Sequence, residues 1–257
     1  MRLIVLGCSG SGPGPGSPAS GYLVEAGDTR FTLDLGNGTF GALARHLDPF
    51  SLDAVAFSHL HADHCSDFAS LVVHRRYHPR PPYDARASKL AVHAPAEAPD
   101  RFAAAYAPSA AERAVTDLTD VFTFHPLTAG AETTIGDARL GATPVDHPCE
   151  AYALRVEHDG RTLVYSGDTG PCDGLVTAAR GADVLLCEAS WPHTGDQPPG
   201  VHLSGRQAGE HAAAAGVSRL LLTHVPAWCD PEELLTEAKG AFDGPIDLVH
   251  PDEAFDI

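Results

Sequence analysis

The segment His59-Leu60-His61-Ala62-Asp63-His64 constrains this chain more than any other. Four side chains able to bind a metal fall within six residues, directly after the uncharged apolar run Ala54–Ser58. A short run of that kind reads as a buried strand. A loop leaving its end can aim several side chains inward together. Imidazole and carboxylate suit zinc, manganese or iron, and a set dominated by nitrogen does not suit calcium. The carboxylate interrupting the histidines points to two metals rather than one. Each metal needs three or four protein ligands with a position left open, so more ligands must come from elsewhere in the chain.

Candidates follow other strand-like runs. His147 comes after Ala138–Val145, Asp168 after Thr162–Ser166 in Ser-Gly-Asp-Thr, and His224 after Arg219–Thr223. His202 sits in His-Leu-Ser, just before a helical pattern over Gly205–Ala215. Glu188 ends the run Val184–Glu188 and is read as orienting His202. Ser204, and Ser9 in the N-terminal loop, are candidate phosphate contacts; a capping or loop role is the plainer reading of each. Trp228 is a candidate for stacking a base, with simple packing as its alternative. His74, His78 and His93 lie outside this ordered set. Cys65 and Cys149 adjoin ligand candidates, but sequence neighbours on a strand point to opposite sides.

The remaining pattern describes a layered fold. Gly21–Ala26 and Arg30–Leu35 read as a strand pair around Gly27-Asp28, and Ala151–Glu157 with Thr162–Ser166 as another around Asp159-Gly160. Helical patterns cover Phe40–Leu47, Asp67–His74, Pro99–Ala107 and Pro231–Ala241, and strands Leu90–His93 and Val121–Pro126. Arg219–Thr223 reads as the last buried strand. Each half opens with strand pairs and passes to strand–loop–helix units. That order suits an α/β chain with two mixed sheets packed face to face and helices outside. No linker divides it, so residues 1–257 read as one domain.

Several function classes recede on composition. The apolar run at the N-terminus stops at Leu6, too short for a secretory or spanning segment, and no run approaches the ~20 residues a membrane helix needs. The loop Cys8–Ser20 is rich in glycine but also holds Pro13, Pro15 and Pro18 and opens no helix, so it fails as a dinucleotide fingerprint. Acidic residues number 34 against 17 Lys and Arg, a formal charge of −17, which disfavours an extended nucleic-acid partner. None of the six cysteines forms a CxxC pair; reduced thiols in a cytoplasmic protein are expected. A homodimer is compatible with the sequence.

The ordered set HxHxDH, His147, Ser-Gly-Asp-Thr, His-Leu-Ser and Leu-Thr-His resembles the metallo-β-lactamase superfamily, and is most similar to its RNase Z-like branch, from Met1 to about Pro226. The resemblance implies an αββα sandwich with two divalent ions, zinc foremost and manganese or iron as alternatives. His59, His61 and His147 would hold one ion, Asp63, His64 and His224 the other, and Asp168 would bridge them. Asp63 would also serve the reaction. His202 would not be a ligand but would assist phosphodiester cleavage, for which an imidazole is suited as a proton donor. The tRNA-processing enzymes of this branch carry an arm that, in the bacterial form, resembles an insertion between the residues matching His147 and Asp168. Here these lie only 21 positions apart, and the second strand pair fills the interval. The segments Leu6–Pro15, Asp34-Leu-Gly-Asn-Gly and His224-Val-Pro-Ala-Trp228 are similar to an actinobacterial group that includes cyclic-nucleotide phosphodiesterases. The expected substrate is therefore a small phosphodiester such as a 3′,5′-cyclic nucleotide. A tRNA 3′ endonuclease, a hydrolase of a lactam, lactone or thioester, and a non-catalytic metal-binding protein are the alternatives.

Overall fold

Alternation along the first strand sets the layering of the molecule. In Arg2–Gly7, Leu3 and Val5 point to one core while Ile4 and Leu6 point to another. A strand buried on both faces must lie between two layers. The computed structural model describes residues 1–257 and shows three apolar layers. One lies between the two sheets, with Tyr22, Phe31 and Tyr165 among its largest members. The other two lie between each sheet and its own helices. The result is the expected αββα sandwich.

Each sheet has seven strands, half antiparallel and half parallel. The first runs Ala254–Asp256, Arg2–Gly7, Gly21–Ala26, Thr29–Leu33, Ala54–Ala56, Leu90–Ala94 and Phe122–Pro126. Its first four strands pair antiparallel and the last four parallel. The second runs Ile246–Leu248, Arg219–Thr223, Val184–Glu188, Arg161–Tyr165, Tyr152–His158, Ala138–Pro144 and Glu132–Ile135, with the parallel strands first. Parallel neighbours need crossover connections. Helices Thr39–His46, Phe68–Tyr77 and Ala98–Tyr106 supply them on one side, and Asp173–Ala179, Gly205–Ala215 and Pro231–Lys239 on the other. The loops leaving the parallel strands carry the chemistry.

The structure differs from the sequence expectations in instructive places. Arg219–Thr223 is not the last strand. Ile246–Leu248 adds parallel to it, and Ala254–Asp256 pairs with Arg2–Ile4, so the tail beyond Pro226 completes both sheets. Both added strands have three residues and are half-exposed or exposed, too short for a period of two to show. Helix Asp173–Ala179 and strand Glu132–Ile135 were also absent from the sequence expectation, and the expected helix over Asp67–His74 extends to Tyr77. The loop after Gly7 is not wholly irregular. Ser9–Gly10 pairs with Val225–Pro226, which presses this loop against His224. A Cβ at Gly10 would collide with the His224 carbonyl, so glycine is required there. No helix is long and apolar enough to cross a membrane.

Candidate metal centre

The segment His59–His64 does not simply leave its strand as a loop. The strand ends at Ala56, and Ala62–Cys65 forms a single helical turn. That turn separates the cluster into two groups. His59 and His61, ahead of the turn, face one point; Asp63 and His64, on the turn, face another. Gly36 makes room for the turn, since a Cβ there would strike the Asp63 carbonyl.

The later candidates converge on the same two points. At the first, His59 Nε2 and His147 Nε2 each lie 3.1 Å from His61 Nδ1, and Asp168 Oδ2 lies 3.7 Å from His59 Nε2. At the second, His64 Nε2 and His224 Nε2 are 3.2 Å apart, Asp63 Oδ2 is 3.2 Å from His224 Nε2, and Asp168 Oδ1 is 3.2 Å from His64 Nε2. Ligands about 2.0–2.1 Å from a tetrahedral ion stand about 3.3 Å from one another, close to most of these spacings. Asp168 is 2% exposed, and its Oδ1 is buried without a hydrogen-bond partner. An acceptor left so is costly, and a cation between it and the facing imidazoles satisfies it. The donor set thus fits two metal ions, with one carboxylate oxygen turned to each. Despite burial, His224, His64 and His59 hold the Asp168 carboxyl well below the usual carboxylate range.

The imidazoles turning Nε2 inward have Nδ1 tied behind them. His64 Nδ1 donates to Asp34 (2.7 Å), His147 Nδ1 to the Val201 carbonyl (2.9 Å), His224 Nδ1 to Ser190 Oγ (2.9 Å) and His59 Nδ1 to Ser58 Oγ (3.1 Å). These proton positions follow from the network, because Nε2 must stay free to face an ion. Such partners fix ring orientation and raise ligand basicity. Asp34 is the hub: its carboxylate also accepts from the Ser58 backbone (2.7 Å), Ser58 Oγ (2.8 Å) and Tyr165 Oη (2.8 Å). It is fully buried at a left-handed φ of 59°, and His224 at 56°. Non-glycine residues rarely adopt this conformation, and it concentrates at functional sites.

His202 stands beside the two groups. Its Nδ1 donates to Glu188 Oε1 (3.1 Å) and lies 3.8 Å from Asp168 Oδ2. Glu188 is wholly buried and also accepts from the Thr169 backbone and from Ser190 Oγ, each at 2.6 Å. Ser190 thereby joins Glu188 to His224. Burial opposes charge on His202, but Glu188 outweighs it and pushes the imidazole up to about 9.

Two expected substrate contacts fare differently. Ser204 is not free to meet a substrate. Its buried hydroxyl caps the helix Gly205–Ala215, accepting from the Gln207 backbone in a capping box and bonded to His193 Nδ1. The Ser-x-x-Gln spacing was the available signal for that role. Trp228 is 75% exposed at the surface. Asp34, Ser58, Tyr165 and Ser190 were missed as site residues. Asp34 stood in a quoted motif, but nothing local links it to His64, thirty positions away.

The profile of the Beta-lactamase superfamily domain matches residues 29–225. The chain belongs to that superfamily. An uncharacterized protein of Mycobacterium leprae is 49% identical over all of this chain and 89% of its own length. The crystal structure of YhfI, a metallo-β-lactamase fold protein of Bacillus subtilis, superposes with a TM-score of 0.84 at 25% identity, covering 99% of each chain. Ribonuclease Z of Myxococcus xanthus is 29% identical, with 96% of this chain and 95% of that protein aligned. That alignment extends over 299 positions, so the ribonuclease carries insertions that this chain lacks. With its two His/Asp groups that share Asp168, the chain is a metallo-hydrolase of the β-lactamase superfamily, similar to the ribonucleases Z.

Proposed function

We propose that this protein is a dinuclear metal-dependent phosphodiesterase that hydrolyses 3′,5′-cyclic nucleotides to 5′-nucleotides. The observation that carries the reading is His202, held by buried Glu188 beside Asp168 and outside the two groups that share Asp168, although Glu188, His202 and His224 also stand close enough together to hold an ion. Cleaving a phosphodiester expels an alkoxide, which needs a proton that a lactam's ring-opening does not demand in the same place. With Nδ1 fixed on Glu188, Nε2 is the nitrogen left to deliver it.

In this reading His59, His61 and His147 hold one ion and Asp63, His64 and His224 the other, with Asp168 serving both. Zinc suits the donors first, then manganese or iron. Bound there, the ions supply Lewis acidity to the phosphoryl oxygens and make water acidic. Asp63 takes the proton of the attacking water, whose oxygen bonds to phosphorus. The bond from phosphorus to the 3′ oxygen breaks, and that oxygen takes the proton of His202 Nε2. Two divalent ions against Asp63 and Asp168 leave the centre positive, which suits a phosphodiester anion.

A small substrate is favoured over tRNA. The hairpin Tyr152–His158/Arg161–Tyr165 is built into the second sheet and fills the interval where an arm would stand. The ion pairs of Asp34, Asp63, Asp168 and Glu188 are all with histidine, none with Lys or Arg. Six free thiols suit a cytoplasmic setting.

The test is one assay panel on metal-analysed protein: cyclic AMP, cyclic GMP, bis-p-nitrophenyl phosphate, a precursor tRNA and a β-lactam. Cyclic nucleotide turnover that disappears with Asp168→Ala, together with bound metal, is expected. Rapid tRNA cleavage with inert cyclic nucleotides, or activity on the lactam alone, overturns the proposal.

A further inference from the structure

Three aromatic rings pack against His202. Two of them, His147 at 5.8 Å and His224 at 5.3 Å between centroids, belong to the candidate metal groups. The third is Trp191, at 5.1 Å with an interplanar angle of 79°. It is the nearest ring and the one not committed to an ion. The backbone explains its place. Ser190 donates to the Leu203 carbonyl at 2.9 Å, and Trp191 bridges Ser204 in parallel. This short pairing ties the segment after Glu188 to the segment carrying His202. The indole is half-buried, so part of its surface stays open.

A proton donor must come within hydrogen-bond reach of the oxygen it serves. The group attached to that oxygen therefore has to lie around His202. His147 and His224 occupy the ring's metal side, and Glu188 holds Nδ1 from within the core. Trp191 is left as the wall that the departing side of the substrate meets. An indole offers little to a phosphate or an aliphatic alcohol, but it offers area and a π-face to a planar heterocycle.

Resting on the phosphodiesterase reading, we infer that Trp191 is a specificity-determining residue that contacts the nucleoside on the leaving side of phosphorus and selects it over an aliphatic alcohol.

The chain has two tryptophans, so each can be made the sole fluorophore. In metal-loaded Trp228→Phe protein, titration with 5′-AMP should quench or shift the Trp191 emission, while inorganic phosphate at the same occupancy should leave it unchanged. In Trp191→Phe protein, 5′-AMP should leave the Trp228 emission unchanged. For cyclic AMP, Trp191→Ala should raise KM at least tenfold with kcat within about threefold, and Trp191→Phe should restore most of the loss. Ethylene phosphate, a cyclic diester with no base, should be turned over by Trp191→Ala as by the parent. Melting curves of all variants check folding, and the phenylalanine variant keeps the test open if the alanine variant is unstable. An equal fall in kcat on both substrates would mean that Trp191 only steadies His202, and the inference fails. A nucleotide response from Trp228 alone, or an unchanged KM, also overturns it while leaving the phosphodiesterase reading intact. If no phosphodiester in the panel is hydrolysed, the phosphodiesterase reading fails and this inference falls with it.

Discussion

Replacing Asp34 with asparagine isolates what a residue that need touch neither ion does for both. The change keeps the shape, and asparagine tolerates the left-handed backbone at φ 59°, so strain is not introduced as it would be with alanine. What changes is charge, and one acceptor oxygen becomes an NH2 donor. The amide oxygen can replace Oδ2 and still accept from His64, Ser58 Oγ and Tyr165. The amide nitrogen then confronts the Ser58 backbone N–H, which now donates to Oδ1 at 2.7 Å. One buried donor is left unpaired, at about 1–3 kcal/mol, and the bond from His64 loses its charge assistance, worth about another 1 kcal/mol. Loss of such a partner lowers metal affinity about 10–100-fold. His64 bonds Asp34 directly, whereas His59 reaches it only through Ser58, so the ion at His64 should weaken more. Competition against a chromophoric chelator, resolving the two binding steps, measures this, and melting of the chelated protein measures the stability cost. Asp34→Asn protein that binds both ions with parental affinity would refute the argument.

Other consequences are simpler. Glu188→Gln should leave both ions bound but reduce turnover of cyclic AMP, whose leaving alkoxide needs a proton, more than that of bis-p-nitrophenyl phosphate, whose leaving phenolate does not; equal losses count against His202 as the donor. His93 is 5% exposed and stacked on His125 at 4.9 Å, and burial followed by that neighbour brings it down to about 4. Its neutral form is the folded one, so its contribution is complete above its unfolded value near 6.5 and disappears as pH falls toward 4; about 2 kcal/mol should be lost by pH 5, and His93→Phe should flatten the fall in melting temperature over that range. Ser204→Ala removes a cap and should cost about 1 kcal/mol in chemical denaturation, with KM unchanged.

What could be read in advance divides along physical lines. The candidate ligands were legible because each stands at the end of an apolar strand, a local pattern, and His59–His64 states half the candidate centre in six letters. Glu188 was legible for the same reason. Asp34, Ser58, Tyr165 and Ser190 act through contacts made only when distant strands meet, and no local period marks them. Nothing local marks Trp191; its pairing with Ser204 is what sets it against His202. The layered fold was legible from strand–helix alternation, while strands of three residues such as Ile246–Leu248 and Ala254–Asp256 hold too little pattern to show.

The division of the ligands between the two sheets has a consequence for how the chain folds. His59, His61, Asp63 and His64 follow a strand of the first sheet, and His147, Asp168 and His224 follow strands of the second. Neither half alone can assemble either group, since each draws on both. Loop closure over such separations costs entropy that only the finished pairing repays. High-affinity metal capture should therefore come late, after the sheets have docked. In refolding, the ions would act as a clasp on a completed structure, slowing its opening more than they speed its formation.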